Sequence, residues 1–353
     1  MHKLKLLLAA ILFFSCENVP QYPQGQDDLI EMESVWQYLK AYSIHQDECV
    51  SGNNGTCQNR LLDHPFLYAT PEEMMNSMYD TLGGHNYTAY CSDCDDGLQS
   101  GGITGGTKEQ SRVTDEIRYV SYFQVTDSTA LIRIQQQFFS KVTYRQFAAL
   151  LPGIKGKYLI IDLCGNGGGD LDELDSILEL FLPANKAYIL ARERAWDSTA
   201  HKYHTVDFRP LTTKRPASPY LIDKKIVVLM DGNTASASEI LASALKDARG
   251  AILAGDTSYG KAIGQIKLPR RGRRWLQITF LQLKGISAGI YQNIGLAPDV
   301  VIKSPTIYSD RQKMLAVVKL LEPGVQLTDL RFNSGLLKAA VTTEPQGYIV
   351  RDV

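Results

Sequence analysis

The sequence predicts an α/β fold built around a largely parallel sheet, and three observations predict it. Tyr158–Leu163 and Lys225–Met230 are near-continuous apolar runs, the pattern of strands buried on both faces rather than one. Each is followed by a small-residue turn and then a stretch of helical periodicity, Leu171–Leu182 in one case and Ser236 to about Ala248 in the other. Strands that alternate with helices in this way call for crossover connections and hence parallel pairing.

The elements follow in order. Residues 29–90 read as helical, with apolar positions at helical spacing over Ile30–Tyr42 and Pro71–Leu82. Thr70-Pro71-Glu72-Glu73 is a helix start, with proline in the first turn and acids against the helix dipole. Residues 91–113 are polar and glycine-rich and read as a long loop. Ile117–Val125 and Ala130–Gln135 form a predicted hairpin about Thr126-Asp127-Ser128. Tyr144–Leu151 is a short helix, and Ala187–Ala195, Ala251–Ala254, Gln265–Leu268 and Trp275–Leu283 are strands. The basic cluster Arg270–Arg274 lies between the last two strands and reads as a solvated hairpin tip. No internal repeat is present.

Length and composition bound the function. With 353 residues, 44% apolar and 21% charged, the chain can bury a substantial core. A net charge of −1 provides no field for nucleic acid, so no nucleic-acid partner is expected. Met1–Lys5 is basic, and Leu6–Phe14 is apolar but too short for a permanent membrane span. Together they have the anatomy of an export signal over residues 1–15. Cys16, directly after a small residue, resembles a bacterial lipoprotein cleavage site; the resemblance implies cleavage before Cys16, lipidation of its thiol and a membrane anchor facing the periplasm or cell exterior. Residues 16–28, with prolines, glycine and glutamines, read as a flexible tether. In an exported chain, Cys49/Cys57 and Cys91/Cys94 are two pairs able to form disulfides, with cross-pairing between them as the alternative. Cys164 is left over as a buried thiol.

Two stretches carry chemistry. In Asp231–Asp247 the small residues Thr234-Ala235-Ser236-Ala237-Ser238 join a strand to a helix, which places Ser236 beside helix N-terminal amides suited to a developing oxyanion. Ser236-x-x-Glu239 is equally a capping box, which needs no catalysis. In Ser258–Leu268, Lys261 sits in a glycine-flanked turn with no acidic neighbour and apolar residues following. Serine needs a base to act as a nucleophile at neutral pH. Lysine can be that base only where desolvation lowers its pKa well below the ordinary value.

These residues resemble the C-terminal processing, or tail-specific, serine peptidases. Ser236 and Lys261 are 25 positions apart, and Gln265 follows Lys261 by four. Tyr158–Leu163 with the following glycine loop, and Asn293-Ile-Gly295-Leu-Ala-Pro298-Asp299, resemble two further segments of that family. The likeness extends from about Ile117 to Val301. It implies an α/β spiral core of the crotonase and Clp-protease type with a helical N-terminal cap region. It implies Ser236 as nucleophile, Lys261 as general base and Gln265 as the group orienting the lysine. The backbone N–H groups of Ala237 and of a glycine in 165–169, Gly168, would form the oxyanion hole, and Asp247 would be structural. The substrate would be a protein or peptide, with no cofactor and no metal.

The sequence departs from the family at three places. Cys164 stands where the family commonly has arginine, and Gly167 where it has proline; Ala262 replaces a glycine. Only 26 residues, Cys91–Glu116, separate the N-terminal helices from the core, below the roughly 50 at which domains begin, so the family's usual PDZ insert has no room. The expected division is therefore 1–15 signal, 16–28 tether, 29–116 helical region with its glycine-rich loop, 117–303 Ser–Lys peptidase core and 304–353 C-terminal extension. The competing function is a catalytically inactive peptide- or lipid-binding lipoprotein on the same fold. His201-x-x-His204 lacks a third metal ligand nearby, and neither a Gly-x-Ser-x-Gly elbow, a phosphate loop nor a dinucleotide fingerprint is present.

Overall fold

The computed structural model describes residues 26–43, 50–51, 57–58, 70–71, 73–75, 89–91, 103–104, 119–135, 142–269, 275–303 and 310–331. The predicted signal, most of the tether with Cys16, the Arg270–Arg274 cluster, and Cys49 and Cys94 of the two cysteine pairs lie outside the described residues. In chain order the elements are α1 (Gln26–Tyr42), β1 (Val50–Ser51), β2 (Cys57–Gln58), β3 (Ala89–Cys91), β4 (Ile103–Thr104), β5 (Val120–Gln124) and β6 (Thr129–Ile134). There follow α2 (Thr143–Leu150), β7 (Tyr158–Asp162), α3 (Leu171–Phe181), β8 (Ala187–Asp197), β9 (Lys202–Thr212), β10 (Lys225–Met230) and α4 (Ala237–Arg249). The last are β11 (Ile252–Gly255), β12 (Ile263–Pro269), β13 (Trp275–Lys284), β14 (Val300–Val301) and α5 (Arg311–Lys319).

The central sheet has the order β14–β11–β10–β7–β6–β5, parallel throughout except for the β5–β6 hairpin. Its apolar runs divide by strand alternation. Ile132, Leu159, Ile161, Val228 and Met230 face a core shared with α2, α3 and α4. Leu131, Ile160, Val227 and Leu229 face the opposite side, where Met314, Val317 and Val318 of α5 cover them. Both faces are therefore buried, as the apolar runs predict. The predicted extension contains the helix that closes the second face.

A second sheet, β4–β12–β13–β8–β9 with β3 also paired to β13, is antiparallel apart from the β4–β12 contact. Helix α1 lays Met32, Val35 and Leu39, a stripe at helical spacing, against Leu276 and Ile278 of β13. Three differences from the sequence reading stand out. Helix α1 begins at Gln26, inside the predicted tether. Ile103–Thr104, read as loop, pairs with Ile266–Lys267 of β12. Strand β9 is absent from the sequence reading: it lies at the sheet edge, and its polar residues Lys202, His204, Asp207 and Arg209 are held by backbone pairing to β8 rather than by an apolar pattern.

Candidate active site

Strands β7 and β10 are neighbours, so the loops at their C-terminal ends meet, at the edge where open parallel sheets bind ligands. The loop after β7 is Gly165–Gly169; the loop after β10 leads to Ser236 and α4. Backbone and side-chain bonds lace them together. Gly165 N–H donates to Asp231 Oδ1 at 3.0 Å, Ala235 N–H to the Asn166 carbonyl at 3.0 Å, and Thr234 Oγ1 to the Leu163 carbonyl at 3.0 Å.

Ser236 sits at the N-cap of α4 with φ 57° and ψ −121°, a left-handed conformation for a residue with a Cβ. Such a conformation persists only where surrounding structure holds it, and it concentrates at functional sites. Here the holder is Glu239. Ser236 N–H donates to Glu239 Oε2 at 2.8 Å, the capping arrangement that the Ser-x-x-Glu spacing predicts.

The carboxylate of Glu239 has a second role that the sequence does not display. It is fully buried, and it also accepts from Ser258 Oγ at 2.5 Å, Gly260 N–H at 2.7 Å and Lys261 N–H at 2.8 Å. One oxygen, Oε2, thus receives the backbone N–H of both Ser236 and Lys261. Tyr259 N–H donates to the Thr234 carbonyl at 2.9 Å and closes the turn onto the elbow. Burial pushes the Glu239 carboxyl upward, against four donors that pull it down. Burial lowers the Lys261 ammonium below its ordinary value, opposed by the nearby Glu239 charge. That is the direction a lysine base requires.

Gln265 lies on β12, four residues beyond Lys261, where a bulge between Gly264 and Gln265 shifts the register against β13. Bulges re-aim side chains beside active sites. Ala262, in the position of a family glycine, is buried and donates its N–H to Gln292 Oε1 at 2.6 Å. Asp247 accepts from the backbone N–H and hydroxyl of Ser287 at the far end of α4.

The glycine loop passes directly over the elbow. A Cβ on Gly168 would stand 2.6 Å from the Ala235 carbonyl oxygen and 2.7 Å from Ser236 Cβ, and its φ is +94°, so only glycine fits. The Gly168 N–H itself donates to Asn166 Oδ1 at 2.9 Å. The N–H groups of Gly169 and Ala237 donate to no acceptor among the described residues. Asn166 is a residue that sequence reasoning passed over. It is fully buried, ties its Nδ2 to the Ile134 carbonyl at 3.1 Å, and holds both the loop and the elbow. Cys164, in the place of the family's arginine, is a free thiol whose ionisation burial pushes well up. Arg133 of β6 lies 3.6 Å from Asp162, its register partner at the end of β7. His201 and His204 belong to the β8–β9 hairpin.

A serine in a left-handed conformation at a strand-to-helix elbow, a desolvated lysine whose backbone N–H meets the same carboxylate and a glycine loop against the elbow are thus gathered at one edge of the sheet. Residues 128–302 match peptidase family S41 and carry a domain of that family. The carboxy-terminal processing protease CtpB of Bacillus subtilis is 33% identical over 174 residues, 48% of this chain and 34% of that protein. The carboxy-terminal-processing protease of Bartonella bacilliformis is 31% identical over 196 residues, 55% of this chain and 40% of that protein. The aligned region thus spans well under two thirds of these relatives. Among solved structures, a lipoprotein from Streptococcus agalactiae shares the fold with a TM-score of 0.54 at 14% identity, over 88% of this chain and 100% of that one. The mixed α/β architecture with a Clp-protease-like core is the fold class that the resemblance implied.

Proposed function

We propose that the protein is a serine endopeptidase in which Ser236 is the nucleophile and Lys261 the general base. The observation that carries this reading is the shared Glu239 Oε2, which fixes the backbones of both residues to one atom. Desolvated Lys261, as the neutral amine, removes the proton from Ser236 Oγ as the oxygen attacks the substrate carbonyl carbon. The resulting oxyanion receives the N–H of Ala237 at the start of α4, where the helix dipole assists, and one N–H of the glycine loop. Gly168 serves in that role once it exchanges Asn166 for substrate; Gly169, whose N–H meets no acceptor among the described residues, serves without that exchange. Lys261 then passes its proton to the leaving amine, giving an acyl-enzyme that water hydrolyses. Gln265 orients the Lys261 amine from β12.

The substrate is a protein or peptide. In this reading it is met outside the cytoplasm, at a membrane surface to which lipidated Cys16 tethers the enzyme. Recognition proceeds without a PDZ domain between the N-terminal helices and the core.

Cleavage of casein and a peptide library by the chain starting after Cys16, beside Ser236→Ala and Lys261→Ala, tests the proposal. Cleavage that both substitutions abolish, with circular dichroism unchanged, supports it. Equal activity in all three, or peptide binding with no turnover in any, overturns it; the latter outcome is that of a binding protein.

A further inference from the structure

Large apolar side chains stand in water around the Lys261 turn. Tyr259 is 46% exposed, Ile290 56% and Ile294 68%. Two turns carry them, and the turns are laced together. Asn293 N–H donates to the Gly260 carbonyl at 2.7 Å, Ser258 N–H to the Leu296 carbonyl at 3.2 Å, and Leu296 N–H to Ser258 Oγ at 2.7 Å. Gly260, at φ +91°, lets the backbones touch: a Cβ there would stand 2.8 Å from Ile294 N and 2.7 Å from Gly295 N. Ile294 is therefore held against the residue that precedes Lys261. Tyr259 is two residues before Lys261, and its N–H is bonded to Thr234, two residues before Ser236.

Single exposed apolar residues are ordinary, but a group carried on two turns bonded to each other beside a candidate reactive site marks a surface that is covered when the protein works. The chemistry of this rim is uniform. Within two residues of Tyr259 and of Ile294 along the chain, Lys261 is the sole side chain of a basic or acidic residue, and it is partly buried. The remainder are Thr257, Ser258, Gly260, Gln292, Asn293, Gly295 and Leu296.

Resting on the peptidase reading for its occupant, we infer that Tyr259 and Ile294, with Ile290 at the margin, form the wall that receives an apolar side chain of the substrate polypeptide beside the scissile bond. The wall is carried by the same turns that carry the base. Selection of the side chain and alignment of the catalytic lysine are thereby built from one piece of backbone. Apolar contacts of this kind discriminate by roughly 10- to 200-fold per methylene or comparable group.

The test uses the full chain, its Ser236→Ala form, and Tyr259→Ser, Ile294→Ser, the double variant, Ile294→Leu and Trp196→Ser. Two readouts are taken on peptides that differ at one position between leucine, serine, aspartate and lysine. One is kcat/KM; the other is Kd by fluorescence anisotropy with the Ser236→Ala form. The expected result is a preference for leucine at one position near the cleaved bond. It falls at least tenfold in the double variant, returns with Ile294→Leu and is untouched by Trp196→Ser on the distant β8–β9 hairpin. Equal losses for leucine and serine peptides, or an unchanged ratio in the double variant, would overturn the inference. Selective binding that the double variant loses, without turnover in the wild type, would uphold the wall and overturn the peptidase reading instead.

Discussion

Glu239 brings four donors to two buried oxygens, and they come from two sides: Ser236 within its own helix turn, and Ser258, Gly260 and Lys261 from the turn beyond β11. The spacing Ser-x-x-Glu discloses the first partner, because capping is a local interaction. It discloses nothing of the others, which reach the carboxylate only after the chain has crossed the sheet. The candidate residues Ser236, Lys261 and Gln265 could be named from the sequence because they are distinctive side chains at set spacings, whereas the partners of the Asn166 amide, the Ile134 carbonyl and the Gly168 N–H, are backbone groups that any residue supplies. At this scale two outcomes are expected. The lysine must be neutral to act, so kcat/KM rises with pH through an ionisation below the ordinary lysine value of 10.5. Glu239→Gln removes the charge that holds the ammonium up, so the midpoint of the remaining activity moves to lower pH; an unmoved midpoint would place the titrating group elsewhere. Gly168→Ala brings a Cβ within 2.7 Å of Ser236 Cβ and is expected to lower kcat/KM by about 100-fold or more, the cost of a disturbed oxyanion site. Gly167→Ala, with nothing within 4 Å of the added carbon, serves as its control.

Among the elements, β7 and β10 were readable because both faces of each are buried, so nearly every side chain is apolar. Strand β9 was not, because an edge strand can be polar throughout and still pair. The end of α4 shows a further contact pattern that no local sequence signal announces. Arg249 donates to the carbonyls of Phe181 at 2.6 Å, Leu221 at 3.1 Å, Ile222 at 2.5 Å and Lys224 at 3.1 Å, tying the helix that starts at Ser236 to the end of α3 and to the approach to β10. Burial lowers its pKa, and it stays cationic at all accessible pH. Arg249→Met keeps the stem and deletes every donor. It is expected to cost about 2–4 kcal/mol in urea unfolding, since charged donors contribute about 1.5–3 kcal/mol each and their loss strands partly buried carbonyls. A cost below about 0.5 kcal/mol would show that water replaces the guanidinium without penalty.

For the molecule as a whole, the central sheet is a shared wall between two cores, and the catalytic loops leave its C-terminal edge. The side lined by Leu131, Ile160, Val227 and Leu229 has α5 as its cover. Residues 304–353 read as an appendage because α5 is short and lies after the catalytic signature, where position along the chain says nothing of position in space. Met314→Ala, at a fully buried site on α5, is expected to cost about 2–5 kcal/mol, measurable as a lowered denaturation midpoint. Ending the chain before residue 310 is expected to yield a protein that binds hydrophobic dyes and does not unfold cooperatively. A cooperative transition in that truncation would mean that the upper core stands alone.

The position of α5 also sets an order of events. A growing chain carries Ser236 and Lys261 well before it carries Met314, Val317 and Val318, and until those arrive the sheet beneath the nucleophile has one bare side. A settled geometry at the Ser236 elbow is then the last property a new molecule acquires. A ribosome-bound copy holds Ser236 and Lys261 while one face of the sheet that carries them is still uncovered.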